Sequence, residues 1–187
     1  MIGGSALFST TILSSILQSC QTQERLTWTP QFLSTNQAQL VSALVDTLLP
    51  KTDTPGGLDM KVDILIDLFY AKVFDKDGQE GIKAEIDGFL AKSKEQFGKP
   101  FYQLEAEQKQ AFLEEEEANS PKFARGVWGY TVEEQEPVGF YRGFKSLAIM
   151  GYCTAADIGQ NQLKYDPIPG PYQGCIPLDE VGGVWTL

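Results

Sequence analysis

The chain has 187 residues, 42% of them hydrophobic and 11% aromatic, which is enough for one domain with a buried core. Its 25 acidic residues against 15 basic ones leave a net charge of −10, and no basic block interrupts that surplus, so the electrostatic footprint of a nucleic-acid binder is missing. It contains no histidine, the side chain most used for proton transfer and metal ligation near neutral pH, and this argues against catalysis by the chain itself.

Residues 2–17 carry no charge, and Ala6 to Leu17 is an apolar run diluted with Ser and Thr, too short and too polar for a membrane span. The run looks like the hydrophobic region of an export signal. Leu17, Gln18, Ser19 and Cys20 then resemble a bacterial lipoprotein processing box, which makes Cys20 a candidate lipidation site. No basic residue precedes the run, so this reading expects arginines upstream of Met1. An amphipathic or disordered arm on a cytosolic protein is the alternative. The domain organisation expected is a leader over 1–20, a polar tether over 21–31 and a helical domain over 32–187, whose last part, 152–187, is a strap.

Ser34 with Gln37 three residues on makes a capping box, and Leu40, Val41, Leu44, Val45 and Leu48 follow at helical spacing until Pro50. Thr52 to Gly57 reads as a flexible surface loop, in which Asp53 marks a capped turn or touches a ligand. A second helix is predicted over Met60–Phe74, with Val62, Leu65, Ile66, Phe69, Val73 and Phe74 as its apolar face. Asp75-Lys76-Asp77-Gly78 has the glycine too early for a calcium loop and reads as a turn. The third helix, Gln79–Phe97, places Ile82, Ile86, Phe89, Leu90 and Phe97 on one side and ends at Gly98. The fourth, Glu105–Ala118, is more polar, with Leu104, Gln108, Ala111, Phe112 and Glu115 along its inner edge; Glu114 to Glu117 point around the helix and read as a solvated face.

Phe123, Trp128 and Tyr130 lie among glycines, either as a loop packed by its own rings or as an exposed anchor for a partner. Pro137 suits the first turn of a fifth helix whose aromatic face is Phe140, Tyr141, Phe144, Leu147, Ala148 and Gly151; Gly139, Gly143 and Gly151 would let another backbone come close. Thr154 with Asp157 is a further small capping signal, for one helical turn leading into the strap.

Four of the ten prolines fall between Pro167 and Pro177, so Tyr165 to Leu178 cannot be a helix or a central strand. The segment nonetheless carries Tyr165, Ile168, Tyr172, Cys175, Ile176 and Leu178, too much apolar surface to leave in water. It lies on the chain's own helices, on another protein, or on both. Cys153 and Cys175, 22 residues apart, form a disulfide in an oxidising compartment or remain two small apolar side chains in a reducing one. The three cysteines lack metal-ligand spacing, and no phosphate loop, dinucleotide-binding glycine pattern, nucleophile elbow or zinc-protease motif is present. No catalytic, cofactor-binding or metal-ligating residue is therefore assigned. An enzyme in its own right would need carboxylates such as Asp46, Asp53 or Asp166 to act alone. The fold expected is all-α, a single helical domain of about five helices with a long proline-rich C-terminal strap packed on it.

Three stretches, LVDTLLPKTDTPGG, FYRGFKSLAIMGYCTAADIG and LKYDPIPGPYQGCIPLDEVGGVW, together resemble the gluconate 2-dehydrogenase subunit 3 family over Leu40 to Trp185. The resemblance implies a helical, non-catalytic small (gamma) subunit beside a large FAD-dependent oxidoreductase of the glucose–methanol–choline type, often with a cytochrome c subunit. It implies no cofactor in this chain; FAD, with haem c or an iron–sulfur cluster, belongs to the partner subunits. It also implies a twin-arginine export signal and a periplasmic place in the bacterial envelope, with membrane association by a lipid anchor or through partners; this chain shows no arginine pair before its apolar run. The expected partner interface is Trp128, Tyr130, Tyr165, Pro167, Pro169, Tyr172 and Trp185. A stand-alone envelope lipoprotein, acting as a binding or structural domain, is the rival reading.

Overall fold

The computed structural model describes residues 26, 28–124, 126–127, 130–131, 134, 137–164, 170–171 and 174–184. Three of its long helices begin where the sequence offers acceptors for otherwise unpaired amides. Ser34 caps α1 (Thr35–Leu48): its hydroxyl accepts from the Gln37 amide while the Gln37 side chain accepts from the Ser34 amide. Asp75 caps α3 (Lys76–Phe97) by accepting from the Gly78 amide, and Glu105 forms a capping box with Gln108 at the start of α4 (Ala106–Asn119). Between them, α2 (Val62–Lys72) starts at Lys61, a non-glycine residue in the left-handed region at φ 57°. The remaining helices are α5 (Gly139–Cys153) and the short α6 (Leu178–Val181). A 3-10 turn, Phe101–Gln103, joins α3 to α4, and a π turn, Ile158–Gln162, follows α5. Two-residue strands β1 (Gly126–Val127) and β2 (Tyr130–Thr131) pair antiparallel, Val127 opposite Tyr130.

The fold is thus all-α with one small ribbon, and the five long helices lie where their periodicity puts them. Each contributes its apolar face to one core: Leu40, Leu44 and Val45 from α1, Val62 and Ile66 from α2, Ile86 and Phe89 from α3, Phe112 from α4, Phe140 and Phe144 from α5. α2 packs most extensively on α5 and α1. The α2–α5 crossing is close because Gly151 has no side chain: a Cβ there would stand 2.7 Å from Cδ2 of Leu65. Of the three glycines expected to permit such an approach, only Gly151 does; Gly139 faces open space and instead adopts φ 73° at the entry to α5. The centre of the core is aromatic. The Phe89 ring meets Phe112 at 5.0 Å, Phe140 at 5.2 Å and Phe101 at 5.8 Å, in edge-to-face arrangements.

Several local expectations are corrected. Asp75 to Gly78 is not a turn that closes α2 but the capped first turn of α3, because the Asp75 carboxylate supplies an acceptor that starts the helix three residues early. On α2, Leu65 and Val73 are exposed, while Asp63, Asp67 and Tyr70 are buried. The inner edge of α4 is Leu104, Phe112 and Leu113; Ala111 and Glu115 face solvent. Pro137 stands outside α5, whose N-cap is Val138. The Thr154 hydroxyl donates back to the Met150 carbonyl at 2.8 Å and so finishes α5; the helical turn expected after it is present as the π turn Ile158–Gln162, without a side-chain cap. Among the described residues, no helix is long and apolar enough to cross a membrane.

Candidate functional site

The stretch entering the domain, expected to be a loose tether, is fastened from Leu26 onward. Leu26, Trp28 and Phe32 pack against the core and Leu33 is part of it. The fastening is polar as well as apolar. Asp67 is 1% exposed, and its carboxylate accepts three consecutive backbone amides: Gln31 at 2.7 Å on Oδ2, then Phe32 at 3.1 Å and Leu33 at 2.8 Å on Oδ1. One turn earlier on α2, Asp63 Oδ2 accepts the indole N–H of Trp28 at 2.9 Å and the Ser42 hydroxyl of α1 at 2.7 Å. Such charge-assisted bonds in a buried place are strong, because a carboxylate removed from water keeps its charge satisfied only through these donors. A third helix joins in: Gln37 donates to Asp87 of α3 at 2.9 Å, and the Lys83 ammonium stands 4.1 Å from the centre of the Phe32 ring.

The loop after α1 is also pinned where a flexible segment was expected. Gly56 and Gly57 are buried, the Gly57 amide donates to the Leu49 carbonyl at 2.7 Å, and the Tyr152 hydroxyl of α5 donates to the Pro55 carbonyl at 2.6 Å. Asp59 accepts from the Gly56 amide and pairs with Lys51, and these two contacts, the amide first, hold its carboxyl below the usual carboxylate range. Asp53 remains exposed within this loop.

An open groove of about 740 Å³ runs between the end of α1, α4 and α5, lined by Asp46, Pro50, Lys109, Leu113, Tyr141 and Lys145 among others. Glu117 braces one side of it, pairing with Arg142 at 2.8 Å and Lys145 at 3.1 Å; the Lys145 hydrogen bond leads in holding its carboxyl below the usual carboxylate range. Burial first, and then the negative charge of Glu117, pushes the Tyr141 phenol up to about 12. The Glu114 to Glu117 run is therefore more than a solvated face. Gln96 and Lys92 of α3 reach Glu115 and Glu116, Arg142 and Lys145 of α5 reach Glu117, and the run ties α4 to both neighbours. Among the described residues, no group of three or more Cys, Asp or Glu is placed to hold a metal ion.

The C-terminal strap is tied at its neck, where the Lys164 amide donates to the Val184 carbonyl at 2.8 Å. Its described residues Gly170, Pro171, Gly174 to Pro177 and Gly182 to Val184 are exposed, Ile176 at 46% and Val184 at 74%. Cys153 and Cys175 are both exposed with free thiols, so the pairing considered from their spacing is not formed in this structure. Tyr130 contributes its backbone to the β1–β2 ribbon. Cys20, Trp128, Tyr165, Asp166, Pro167, Pro169, Tyr172 and Trp185 lie outside the described residues. The residues that sequence reasoning missed are Asp63 and Asp67. Their signal was present: two aspartates four apart on α2, bordering the Val62–Ile66 stripe, in a protein whose supposed tether carries a tryptophan.

A family model described as gluconate 2-dehydrogenase subunit 3 matches residues 35–170, which spans α1 to α5 and the neck of the strap. No curated protein and no solved structure gives a match.

Proposed function

Since the chain belongs to the gluconate 2-dehydrogenase subunit 3 family, we propose that it is the non-catalytic small subunit of an FAD-dependent dehydrogenase complex in the bacterial envelope. The large flavoprotein subunit carries the FAD and oxidises a CH–OH group of a sugar, sugar acid, glycoside or polyol. A cytochrome c subunit, or another haem or iron–sulfur partner, passes the electrons to the membrane. This chain supports the assembly, stability and export of the flavoprotein, and it reaches the periplasmic side through the leader-like segment 2–17. The observation that carries the reading is the match over residues 35–170.

The physics of such a role is linkage. A subunit that binds only the folded form of its partner stabilises that form by mass action. A rigid helical body makes this effective, since little of its own conformational freedom is lost on binding. The exposed Ile176 and Val184 support the strap as the gripping element: the Lys164–Val184 bond ties its neck, and these two apolar side chains are open to a partner. An extended segment of this kind covers a large partner surface with few residues.

Affinity isolation of the full chain from its native envelope, with mass spectrometry and a flavin absorbance scan, tests the proposal. The expected result is co-isolation of a yellow protein of the large-subunit class. Truncation after Leu163 should leave α1 to α5 folded by circular dichroism and abolish that co-isolation. Recovery of the chain alone and monomeric would favour a stand-alone envelope lipoprotein; full recovery of the flavoprotein by the truncated chain would remove the strap from the interface.

A further inference from the structure

We infer that the outward face of α2 is a docking surface for the large flavoprotein subunit, which meets it with an apolar strip edged by carboxylates. The inference rests on reading the chain as the small subunit of such a complex, and it adds to the strap a second, helical contact. It begins from an inversion in α2. Lys61, Leu65, Leu68 and Lys72 follow one another at spacings of four, three and four, so they form one stripe along the helix and its N-cap. The aspartates lie on the other side, where Asp63 and Asp67 are buried and their carboxylates are taken up by Trp28 and by the amides of Gln31 to Leu33. Leu65 is 40% exposed, and Ile64 and Leu68 are half-buried yet stand outside the core. A helix whose only neighbours were in its own chain would turn its leucines inward and its aspartates to water. The strip continues across the helix crossing, because Leu65 lies against Gly151 of α5 and the adjacent Met150 is 47% exposed.

Charge decides what covers this face. With both aspartates buried, the exposed charges of α2 and its N-cap are Lys61 and Lys72, one at each end of the leucine pair and about 16 Å apart along the helix. Among the described residues neither lysine has an ion pair, although the chain as a whole carries −10. A second copy is disfavoured by these same two residues. Antiparallel pairing of two α2 helices sets Lys61 against Lys72 of the other copy, and parallel pairing sets each lysine against its counterpart. An anionic bilayer attracts two lysines but repels a body of net charge −10. A protein with an apolar strip between carboxylates answers both the leucines and the ammonium groups. The position of the face agrees with one partner covering it and the strap together: the end of α5 carries Met150, and the chain then passes through the π turn Ile158–Gln162 into the neck tied at Lys164.

Hydroxyl-radical footprinting of the full chain, free and in the complex isolated with its flavoprotein, tests the docking face. Leu65, Leu68 and Met150 should be oxidised several-fold more slowly in the complex than in the free chain. Leu65→Gln with Leu68→Gln should lower the flavin absorbance recovered per chain about tenfold while helicity by circular dichroism stays unchanged. Lys61→Asn with Lys72→Glu leaves both leucines in place, and asparagine tolerates the left-handed backbone at position 61. This pair should lower recovery several-fold at low salt and less at high salt, and it decides the matter should the leucine variant fail to fold. Equal oxidation of the three side chains in the free chain and in the complex, or full flavoprotein recovery by the folded variants, would overturn the inference and leave the small-subunit reading standing. A native chain that brings down no flavoprotein would sink both. A dimeric mass in sedimentation, or flotation of the isolated chain with phosphatidylglycerol vesicles, each lost in the leucine variant, would overturn the inference in favour of a second copy or a lipid surface.

Discussion

Phe112 is where removal of one side chain should tell most about the fold. It is fully buried and its ring centre lies 5.0 Å from that of Phe89, 6.0 Å from Phe101 and 6.1 Å from Phe97, so it joins α4 to α3 and to the 3-10 turn. Apart from Leu113, it is the only buried side chain that α4 itself supplies. Phe112→Ala therefore combines lost transfer energy with a cavity, about 3–5 kcal/mol for a buried phenylalanine. For a domain of roughly 150 residues, that corresponds to a fall in Tm of about 6–20 °C. Because the rest of α4 is held by ion pairs and hydrogen bonds of its glutamates, worth little each, the lower end of the range is expected if α4 detaches locally instead of the whole core opening. Thermal unfolding followed by circular dichroism at 222 nm separates the two outcomes, since local detachment removes helical signal before the main transition. Phe123→Ala serves as control: that side chain is half exposed, and its loss should move Tm by less than about 2 °C. A Phe112→Ala protein with unchanged helicity and a Tm within about 3 °C of the parent would refute the idea that α4 hangs on this ring.

Glycine contacts give a contrasting pair. An alanine Cβ at Gly57 would stand 2.6 Å from Cγ1 of the fully buried Val45, so urea denaturation should show Gly57→Ala destabilised by about 1–3 kcal/mol. Gly88 in α3 has open space around it, and Gly88→Ala should stabilise by about 0.5–1 kcal/mol. In acid, the lowered pKa of Glu117 means its contribution is complete above the ordinary value of 4.5 and is lost as pH falls through the folded value; Glu117→Gln should flatten the stability profile below about pH 4.5 in urea midpoints. In base the sign reverses. Tyr141 keeps its proton in the folded state up to about 12 but loses it near 10 when unfolded, so stability should fall between those values, and Tyr141→Phe should lose part of that fall in a spectrophotometric titration at 295 nm.

The helices were legible because each carries its own period, and because caps such as Ser34 with Gln37 act over three residues. What was not legible depends on a second element. Asp75 reads equally well as the end of one helix or the cap of the next; its acceptor decided for α3 only because Lys76, Asp77 and Gly78 could enter a helix there. Gly56 and Gly57 look like a flexible linker in one dimension, yet in three they are the only residues small enough to lie against Lys51 and Val45. The aspartates of α2 show the limit most clearly. Periodicity assigns charged residues to the solvent side, and on that rule Asp63 and Asp67 frame the apolar stripe from outside. They are buried because a segment some 35 positions earlier brings its amides and an indole N–H to them, and no window of one helix contains those donors. A polar stretch before a capping box is thus ambiguous until the helix face opposite it is known. The discriminating sign is a pair of carboxylates one turn apart beside a core stripe, which in water would gain nothing from that position and in the folded chain must have donors supplied from elsewhere.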